Sequence, residues 1–269
     1  MKRKGDIHIE HPEAWELLVS IGDRQVDYIL FAPTVANSLI VGDVEWGGQS
    51  LQSLEDAIYD TPELLNEYRR VRVIVHSRHF VMFPAESSDE DCIDLLRHAF
   101  PGDDGDAGVS LMPDNQVKIA WLMPRGMQAF LGRTFNYPMT YHHLQLLCEH
   151  FFGLNRDDGK SRMFLNLREG YMDLAIYREG KLQGANTFHF ADHQDAVYYA
   201  LTAWRAHELD QLADELQLMG DNAECAAMTP KLREFVKSVM PAVYPAAAMQ
   251  LGRNVMQAPL ELVLLALCE

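Results

Sequence analysis

The sequence is poor in cysteine and has no two cysteines close enough together to suggest a shared metal or disulfide motif. The four cysteines are Cys92, Cys148, Cys225 and Cys268, and none belongs to a C-x-x-C pair. Small secreted scaffolds stapled by disulfides and zinc-binding modules both need closely spaced cysteines. We therefore expect free thiols in a reducing compartment, and we predict a cytoplasmic protein.

The chain also lacks a long apolar run. The longest one, Leu262 to Cys268, is far shorter than the ~20 residues that a membrane-spanning helix needs. The N-terminal stretch MKRKGDIHIEHPEAW is basic at its start but carries no hydrophobic segment behind it. This pattern predicts neither a secretory signal peptide nor a membrane span.

Positive charge is scarce. The chain has 23 lysines and arginines against 39 aspartates and glutamates, a formal net charge of −16. Nucleic-acid binding depends on a basic face that neutralises phosphates, and anionic membrane surfaces attract basic segments. We therefore predict no nucleic-acid partner. The 269 residues, 48% of them hydrophobic, suffice for one large domain or two ordinary ones.

Familiar catalytic and metal-binding motifs are missing as well. The sequence has no Walker-type loop, G-x-S-x-G, H-E-x-x-H or dinucleotide fingerprint. His189 and His193 are four residues apart, but they would share a face only in a helix, and a strand is predicted to end at Phe190. Asp192 is better interpreted as the N-cap of the next helix. We predict no metal site and assign no catalytic residue.

What the sequence does contain is a clear β-meander from Arg162 to Phe190. Apolar residues alternate with polar ones along it, the period of a half-buried strand. Glycines at Glu169-Gly170 and Glu179-Gly180 mark two tight turns, because glycine adopts positive φ without steric cost. The alternating apolar residues are Leu165, Leu167, Leu174, Ile176 and Leu182.

A similar pattern occurs in the N-terminal third, which suggests an internal repeat. Aligned without a gap, Tyr28 to Leu30 lies over Met163 to Leu165, and Leu39 to Val41 lies over Leu174 to Ile176. In both parts a glycine turn, a helix and a short apolar strand follow. Each half is therefore predicted to contain the unit strand, strand, strand, helix, strand.

Helices and loops complete the predicted layout. Long helical spacing extends from Asp192 to Glu215, a capped helix is predicted to start at Thr229-Pro230, and an apolar helix spans Pro259 to Leu267. Pro101 to Gly108 is the clearest loop. The polar stretch Asn155 to Lys160 is the predicted boundary between domains.

We accordingly predict a first domain over residues 1–154, with a small subdomain inserted at about 84–116, and a second domain over residues 155–269.

Two stretches, VIVHSRHFVMFPAESSDEDCIDLL and KIAWLMPRGMQAFLGRTF, together with the repeat, resemble the actin-like ATPase superfamily. The order of elements is most similar to that of bacterial cell-division and pilus-assembly members. The whole chain also resembles an uncharacterised Bacteroides-type family with an actin-like fold and no assigned activity. The resemblance implies an α/β fold of two ribonuclease-H-like domains, with mixed sheets, flanking helices and a small subdomain inserted in the first half.

The resemblance also implies ATP with Mg²⁺ as the cofactor, yet the phosphate loops depart from the superfamily's pattern. That pattern is an apolar strand followed by D-x-G, where aspartate holds metal and glycine exposes backbone N–H groups. The matching positions here are Phe31 and Pro33 in the first half, and Asn166 and Arg168 in the second. The adenosine loop, G-G in the superfamily, is Gly220-Asp221. We therefore predict no ATP hydrolysis and no bound cofactor.

If the resemblance holds, a set of polar loop residues faces a cleft between the two domains, where ligands commonly bind. Arg168 would bind an anion there with two hydrogen bonds. Alternatively, Arg168 pairs with a local carboxylate and keeps the cleft shut. The predicted cleft residues are Thr34, Asn37, Asn166, Arg168, Glu169, Tyr171, Asp173, Gly220 and Asp221.

These features favour a non-catalytic interaction or scaffold protein of actin-like fold, with an unidentified protein partner. One alternative is a sensor that binds nucleotide without turnover. The other is an ATPase or phosphotransferase whose catalytic carboxylate has moved to Asp173 or Asp221.

Overall fold

The structure is a computed structural model that describes residues 9–48, 50–112, 116–155, 158–168, 170–242, 244–252 and 254–268. The chain divides into two compact units. The first comprises Met1–Leu111, Gln116–Leu146 and Pro245–Glu269, and the second comprises Met112–Asn115 and Leu147–Tyr244. Residues 245–269 thus belong to the first unit, whereas the sequence-based division placed all of 155–269 in the second domain.

The first unit is built on a five-stranded mixed sheet. Its strands are β1 (Glu16–Ile21), β2 (Gln25–Phe31), β3 (Ile40–Glu45), β4 (Arg70–Val75) and β8 (Met139–His142). Their order across the sheet is β3-β2-β1-β4-β8. The first three strands are antiparallel neighbours, and β4 lies parallel to both β1 and β8. Helices α1 (Leu51–Tyr59), α3 (Met127–Phe135) and α7 (Leu260–Leu267) belong to this unit.

A smaller antiparallel sheet is inserted between β4 and β8. Its strands are β5 (Phe80–Pro84), β6 (Asp106–Leu111) and β7 (Val117–Met123), in the order β5-β7-β6. Helix α2 (Asp89–Ala99) packs on it, and Cys92 and Leu96 of the helix join Ala120 and Leu122 of β7 in a separate core. The inserted subdomain predicted from the sequence is therefore present. Its sheet extends beyond residues 84–116 at both ends.

The second unit repeats the five-stranded plan. Its strands are β9 (Arg162–Arg168), β10 (Tyr171–Arg178), β11 (Lys181–His189), β12 (Glu215–Gly220) and β13 (Ser238–Pro241). Their order is β11-β10-β9-β12-β13, again with three antiparallel strands followed by two parallel pairings. Helices α5 (His193–Ala206) and α6 (Asn222–Arg233) belong to this unit, and α4 (His143–Leu154) begins in the first unit and ends in the second.

Because the two sheets share one strand order, the predicted internal repeat is confirmed, but its alignment was wrong by one strand. The structure matches β1 with β9 and β2 with β10, whereas the sequence alignment placed Tyr28 to Leu30, which lies in β2, over β9. The missed strand is β1, which is buried along its whole length. A buried strand has no alternating pattern to identify it, so the alignment began one strand too late.

Side chains that cap helices explain two of the helix starts. Asp192 accepts hydrogen bonds from the backbone of Gln194 and Asp195, which confirms its predicted role as the N-cap of α5. Helix α5 ends at Ala206, earlier than the predicted Glu215. The predicted start at Thr229-Pro230 was wrong, because Asp221 caps α6 eight residues earlier in the chain and Pro230 lies inside this helix.

The predicted apolar helix at residues 259–267 is confirmed as α7. The predicted loop from Pro101 to Gly108 was wrong in its second half, since β6 starts at Asp106 and pairs with β7. Short 3₁₀ turns span Pro12–Ala14, Pro62–Leu64, Ala246–Gln250 and Val255–Gln257.

Within the described part of the chain, no helix combines the length and the apolar character required to cross a bilayer.

A buried arginine fixes the start of the second unit's sheet. Arg162 is 2% exposed; its Nε donates to Glu215 at 3.0 Å and its Nη2 donates to Asp158. The hydrogen bond from Arg162 holds the pKa of Asp158 below its usual range. Burial raises the pKa of Glu215, but Lys160 and Arg162 outweigh burial and leave this pKa lowered. The network ties the segment before β9 to β12.

We predict that the stabilisation supplied by Arg162 depends on pH. Carboxyl groups with lowered native pKa values stabilise the fold above their unfolded pKa, at about 4, and this contribution is lost as pH falls through the native values. The difference in unfolding free energy between wild type and Arg162→Leu should thus be largest at neutral pH and shrink below pH ~4. Denaturant titrations across this range test it, with Lys160→Met as a milder control. A constant difference down to the acid transition would contradict it.

Glycine is required where an aromatic ring covers the neighbouring strand. Gly108 of β6 lies opposite Trp121 of β7, and a Cβ at residue 108 would lie 2.6 Å from the indole Cε2. Gly42 of β3 lies opposite Tyr28 of β2 in the same way, with a Cβ position 2.2 Å from the ring Cζ. In both sheets the ring occupies the space that a side chain would need.

We predict that Gly108→Ala destabilises the inserted subdomain by about 1–3 kcal/mol, the usual cost of overpacking a core. Gly153→Ala is the matched control, because the residue lies in α4 and, apart from its chain neighbours and its own helix backbone, no atom lies within 4 Å of its Cβ position. Alanine in a helix should be neutral or slightly stabilising. Denaturant titrations followed by tryptophan fluorescence measure both. Equal stabilities of the two variants would contradict the steric argument.

Candidate functional site

The candidate site of the second unit is the hairpin that joins β9 to β10. Arg168 and Tyr171 form its last cross-strand pair, and Gly170 in the turn has φ +70°. Two residues before this pair along β9, Asn166 lies opposite Asp173. Glu169, also predicted as a cleft residue, lies outside the described residues. The hairpin therefore brings together several of the predicted polar residues.

Asp173 is the centre of this group. Its side chain is fully buried. Oδ1 accepts hydrogen bonds from Arg168 Nη2 at 3.1 Å and Thr187 Oγ1 at 2.9 Å. Oδ2 accepts from Arg168 Nε at 3.2 Å and Asn166 Nδ2 at 3.0 Å. A buried carboxylate is stable only when its charge is paired and its lone pairs are used, and here each oxygen has two donors.

Arg168 lies between this carboxylate and an aromatic ring. Its guanidinium carbon is 5.3 Å from the ring centroid of Tyr171, within the range of a cation–π contact. Tyr171 in turn meets His189 edge-on, with ring centroids 5.1 Å apart. Only 24% of the Arg168 side chain is exposed. Arg168 therefore pairs with a local carboxylate, the alternative that the sequence raised against anion binding.

Gly220 ends β12 beside the same hairpin, opposite Leu167, and Asp221 follows it. Gly220 has φ +100°, and a Cβ there would lie 2.1 Å from the carbonyl oxygen of Leu167, so this position requires glycine. The backbone N–H of Asp221 donates to that same oxygen at 2.7 Å. The Asp221 carboxylate caps α6 by accepting from the backbone of Ala223 and Glu224. Asp221 thus has a structural role in starting the helix.

The matching hairpin of the first unit joins β1 to β2. Gly22 N–H donates to Gln25 O at 2.9 Å, and Ser20 lies opposite Asp27. By this register Ser20 corresponds to Asn166 and Gly22 corresponds to Arg168. The sequence comparison, which put the first phosphate loop at Phe31 and Pro33, was wrong because it had missed β1. The corrected D-x-G positions hold serine and glycine.

Ser20 is enclosed by a histidine and a glutamate. Its Oγ lies 2.9 Å from His76 Nε2 and donates to Glu261 Oε1 at 3.4 Å. His76 Nε2 also lies 3.0 Å from Glu261 Oε1, and Glu261 is 2% exposed. In a hydrolytic triad the serine and the carboxylate meet opposite nitrogens of the imidazole. Here both meet Nε2, so the arrangement does not activate Ser20.

Two further histidines extend this buried group. The rings of His76 and His143 stack with centroids 4.6 Å apart, and His142 and His143 are 4.4 Å apart. His142 Nε2 lies 3.1 Å from the carbonyl oxygen of Ser77. Sequence reasoning missed this cluster, although Glu261, a lone acidic residue within the apolar stretch LELVLLAL, was a usable signal.

Thr34 and Asn37 lie in the connection between β2 and β3 of the first unit and are exposed. Asn37 adopts the left-handed conformation, with φ +59°. The other predicted cleft residues belong to the second unit, and their grouping with Thr34 and Asn37 stays a prediction.

The sequence raised His189 and His193 as a possible metal pair, but in the structure His193 contacts a glutamate of the neighbouring helix. His193 starts α5, and its Nε2 lies 3.0 Å from Glu224 of α6. Among the residues that the structure describes, no three histidine, cysteine, aspartate or glutamate side chains are arranged to hold a metal ion.

The family described as "Protein of unknown function (DUF3822)" matches residues 4–239. The chain belongs to this family. A search of curated proteins found no match.

Comparison with solved structures shows the fold of this chain. A Bacteroides thetaiotaomicron protein, described as having an actin-like ATPase fold and unknown function, is 22% identical with a TM-score of 0.80, over 98% of this chain and 100% of that one. A structure of the PilM–PilN type IV pilus biogenesis complex is 10% identical with a TM-score of 0.55, over 96% of this chain and 100% of the matched one. The predicted actin-like fold is confirmed.

We predict that Arg168→Met destabilises the second unit by about 3–5 kcal/mol, because it leaves a buried carboxylate without its counter-charge. Asp173→Asn in the same background removes that charge and should recover part of the loss. Arg205→Met, on the exposed surface of α5, should change stability by less than about 0.5 kcal/mol. Denaturant titrations of the single and double variants give the coupling energy. A coupling near zero would contradict the ion pair.

Proposed function

We propose that this protein is a non-catalytic, cytoplasmic member of the actin-like fold that acts as a scaffold for a protein partner. The observation that carries the proposal is the closure of the Asp173 carboxylate by Arg168, Asn166 and Thr187. A carboxylate with four short-range donors has no lone pair left to hold Mg²⁺ or its water ligands.

The first unit supports the same conclusion. Ser20 stands where the superfamily's pattern has aspartate, and a hydroxyl group is a poor substitute for a carboxylate as a Mg²⁺ ligand. His76 and Glu261 lie against that hydroxyl and are themselves buried. In both hairpins, therefore, the side chain at the position of the pattern's aspartate is engaged by neighbouring side chains of the protein.

The alternatives that involve nucleotide have less support. The two carboxylates considered as relocated catalytic groups are Asp173, which is buried and paired, and Asp221, which caps α6. If Asp173 acted in catalysis, it would lose its ion pair with Arg168, and if Asp221 did so, α6 would lose its N-cap. The likeness to the structure of PilM in complex with PilN supports a role in which an actin-like protein binds another protein.

We predict that Mg-ATP and Mg-GTP at millimolar concentration leave the melting temperature of the purified protein unchanged. A ligand that binds only the native state at 100 times its Kd would stabilise it by about 2.7 kcal/mol, which thermal-shift measurements detect easily. No phosphate release above the buffer rate is expected.

A saturable thermal shift without phosphate release would support the sensor instead. Saturable hydrolysis, lost in Arg168→Ala, would overturn the scaffold proposal.

A further inference from the structure

Two exposed apolar side chains lie at the end of the second unit's sheet where β12 and β13 begin. Leu212 is 74% exposed and Phe235 is 47% exposed. The backbone N–H of Lys237 donates to the carbonyl oxygen of Gln211 at 2.9 Å, so the turn before β12 and the turn before β13 are joined directly. Because β12 ends beside the candidate site, its start is at the opposite end of the sheet.

The turn that carries Leu212 is closed by two aspartates. Asp210 Oδ1 accepts from the backbone N–H of Leu212 at 2.7 Å and from that of Ala213 at 3.3 Å. Asp214 accepts from the N–H of Asp210 and from the N–H of Ser161, both at 2.8 Å. These bonds fix the backbone on both sides of Leu212. Since the side chain is already held in place, little entropy is lost when a partner covers it.

Phe235 is held in a comparable way after the end of α6. The N–H groups of Phe235 and Val236 both donate to the carbonyl oxygen of Leu232, at 3.0 Å and 2.9 Å. Val236 and Leu232 belong to the core of the unit. Phe235 is therefore the exposed member of a turn that the core anchors, and aromatic residues of this kind are enriched in protein interfaces.

Charges of opposite sign flank the two apolar side chains. The acidic side precedes β12 and the basic side precedes β13. Among the residues that the structure describes, none of the flanking side chains forms an ion pair, whereas Lys160, Arg162 and Glu215 at the same end of the sheet pair with one another. The acidic side consists of Glu208 and Asp210, and the basic side of Lys231, Arg233 and Lys237, with Glu234 between them.

A surface that carries both signs of charge is complementary to a second copy of itself. In a two-fold symmetric pair, the acidic side of one copy faces the basic side of the other, and this contact occurs twice. A partner of uniform charge would be repelled by one of the two sides. An apolar partner would bury the flanking charges without counter-charges, which is unfavourable. The charge pattern therefore favours a second copy over other occupants.

We propose that Leu212 and Phe235 form the centre of a symmetric contact between the second units of two copies of this chain. Glu208 of each copy then lies against Lys231 and Lys237 of the other. Two apolar anchors make a smaller interface than the roughly 1,600 Å² of a standard complex, so the dimer is weak and forms at high protein concentration. This inference is independent of the proposed scaffold role, because it concerns the opposite end of the sheet from the β9–β10 hairpin.

Sedimentation equilibrium of the full-length protein over a range of concentrations tests the contact. We expect the mean mass to rise from that of the monomer towards that of the dimer. Leu212→Ser and Phe235→Ser should each weaken association about tenfold or more, as for central anchors of an interface. Tyr198→Ser is the matched control, since Tyr198 is 66% exposed on α5 of the same unit, and it should associate like wild type.

Two charge-reversed chains test the opposed charges. One is Lys231→Glu/Lys237→Glu, and the other is Glu208→Lys/Gln211→Lys; Asp210 is kept because its carboxylate closes the turn. Each chain alone places like charges against each other and should stay monomeric. When the two are mixed, with a tag on one, opposite charges meet again on both sides of the axis. We expect the tagged chain to retain the untagged one in a 1:1 ratio.

Glu179→Lys and Lys181→Glu are the matched controls for the charge reversals, because both residues are exposed at the turn between β10 and β11. Each should dimerise like wild type. Wild-type protein that stays monomeric at every concentration would overturn the proposal, and so would charge-reversed chains that dimerise alone or fail to associate when mixed. If a charge-reversed chain does not fold, the serine variants decide: association unchanged in Leu212→Ser and Phe235→Ser would overturn the contact.

Discussion

A buried carboxylate needs a positive charge nearby and a hydrogen-bond donor for each of its lone pairs. In the second unit, Asp173 is such a carboxylate. Its partners come from its own strand's hairpin and from both neighbouring strands: Asn166 on β9 and Thr187 on β11 lie directly opposite it in the sheet. Arg168 supplies the positive charge. Asn166, Asp173 and Thr187 therefore form a row across three antiparallel strands, and Arg168, two positions further along β9, adds the counter-charge.

The first unit has the same strand order, but different residues surround the matching position of its first hairpin. The row across β1, β2 and β3 is Ser20, Asp27 and Asp43, and Ser20 is covered by His76 and by Glu261 of α7. In one unit the hairpin is closed by residues within the meander, and in the other it is closed by a residue that is 241 positions away in the sequence. The side chain at the matching position of the first strand is thus covered in both units, but by unrelated contacts.

Sequence reasoning found the layout of the fold but not the contacts that decide the site. Alternating apolar residues and glycine turns identified the meander, and Asp192 and the apolar stretch before Cys268 identified two helices. β1 escaped because a strand buried on both faces has no period of two, and the repeat was consequently aligned one strand too late. The pairing of Arg168 with Asp173 depends on cross-strand register, and the meeting of His76 with Glu261 depends on the return of the chain to the first unit. The first pairing leaves no local signal in the sequence, whereas the lone acidic residue Glu261 in an apolar stretch was a signal for the second.

The return of α7 to β1 also has a consequence for the order of events during synthesis. A ribosome releases β1 long before it makes the helix that covers it, and the whole second unit is translated in between. Domains commonly fold as they emerge, and most of the second unit is one continuous stretch, residues 147–244, that is complete before α7 is made. Until α7 has been made, Arg72 lacks the carbonyl acceptor that Cys268 supplies in the native first unit. The first unit can therefore complete its native contacts only after α7 has been translated.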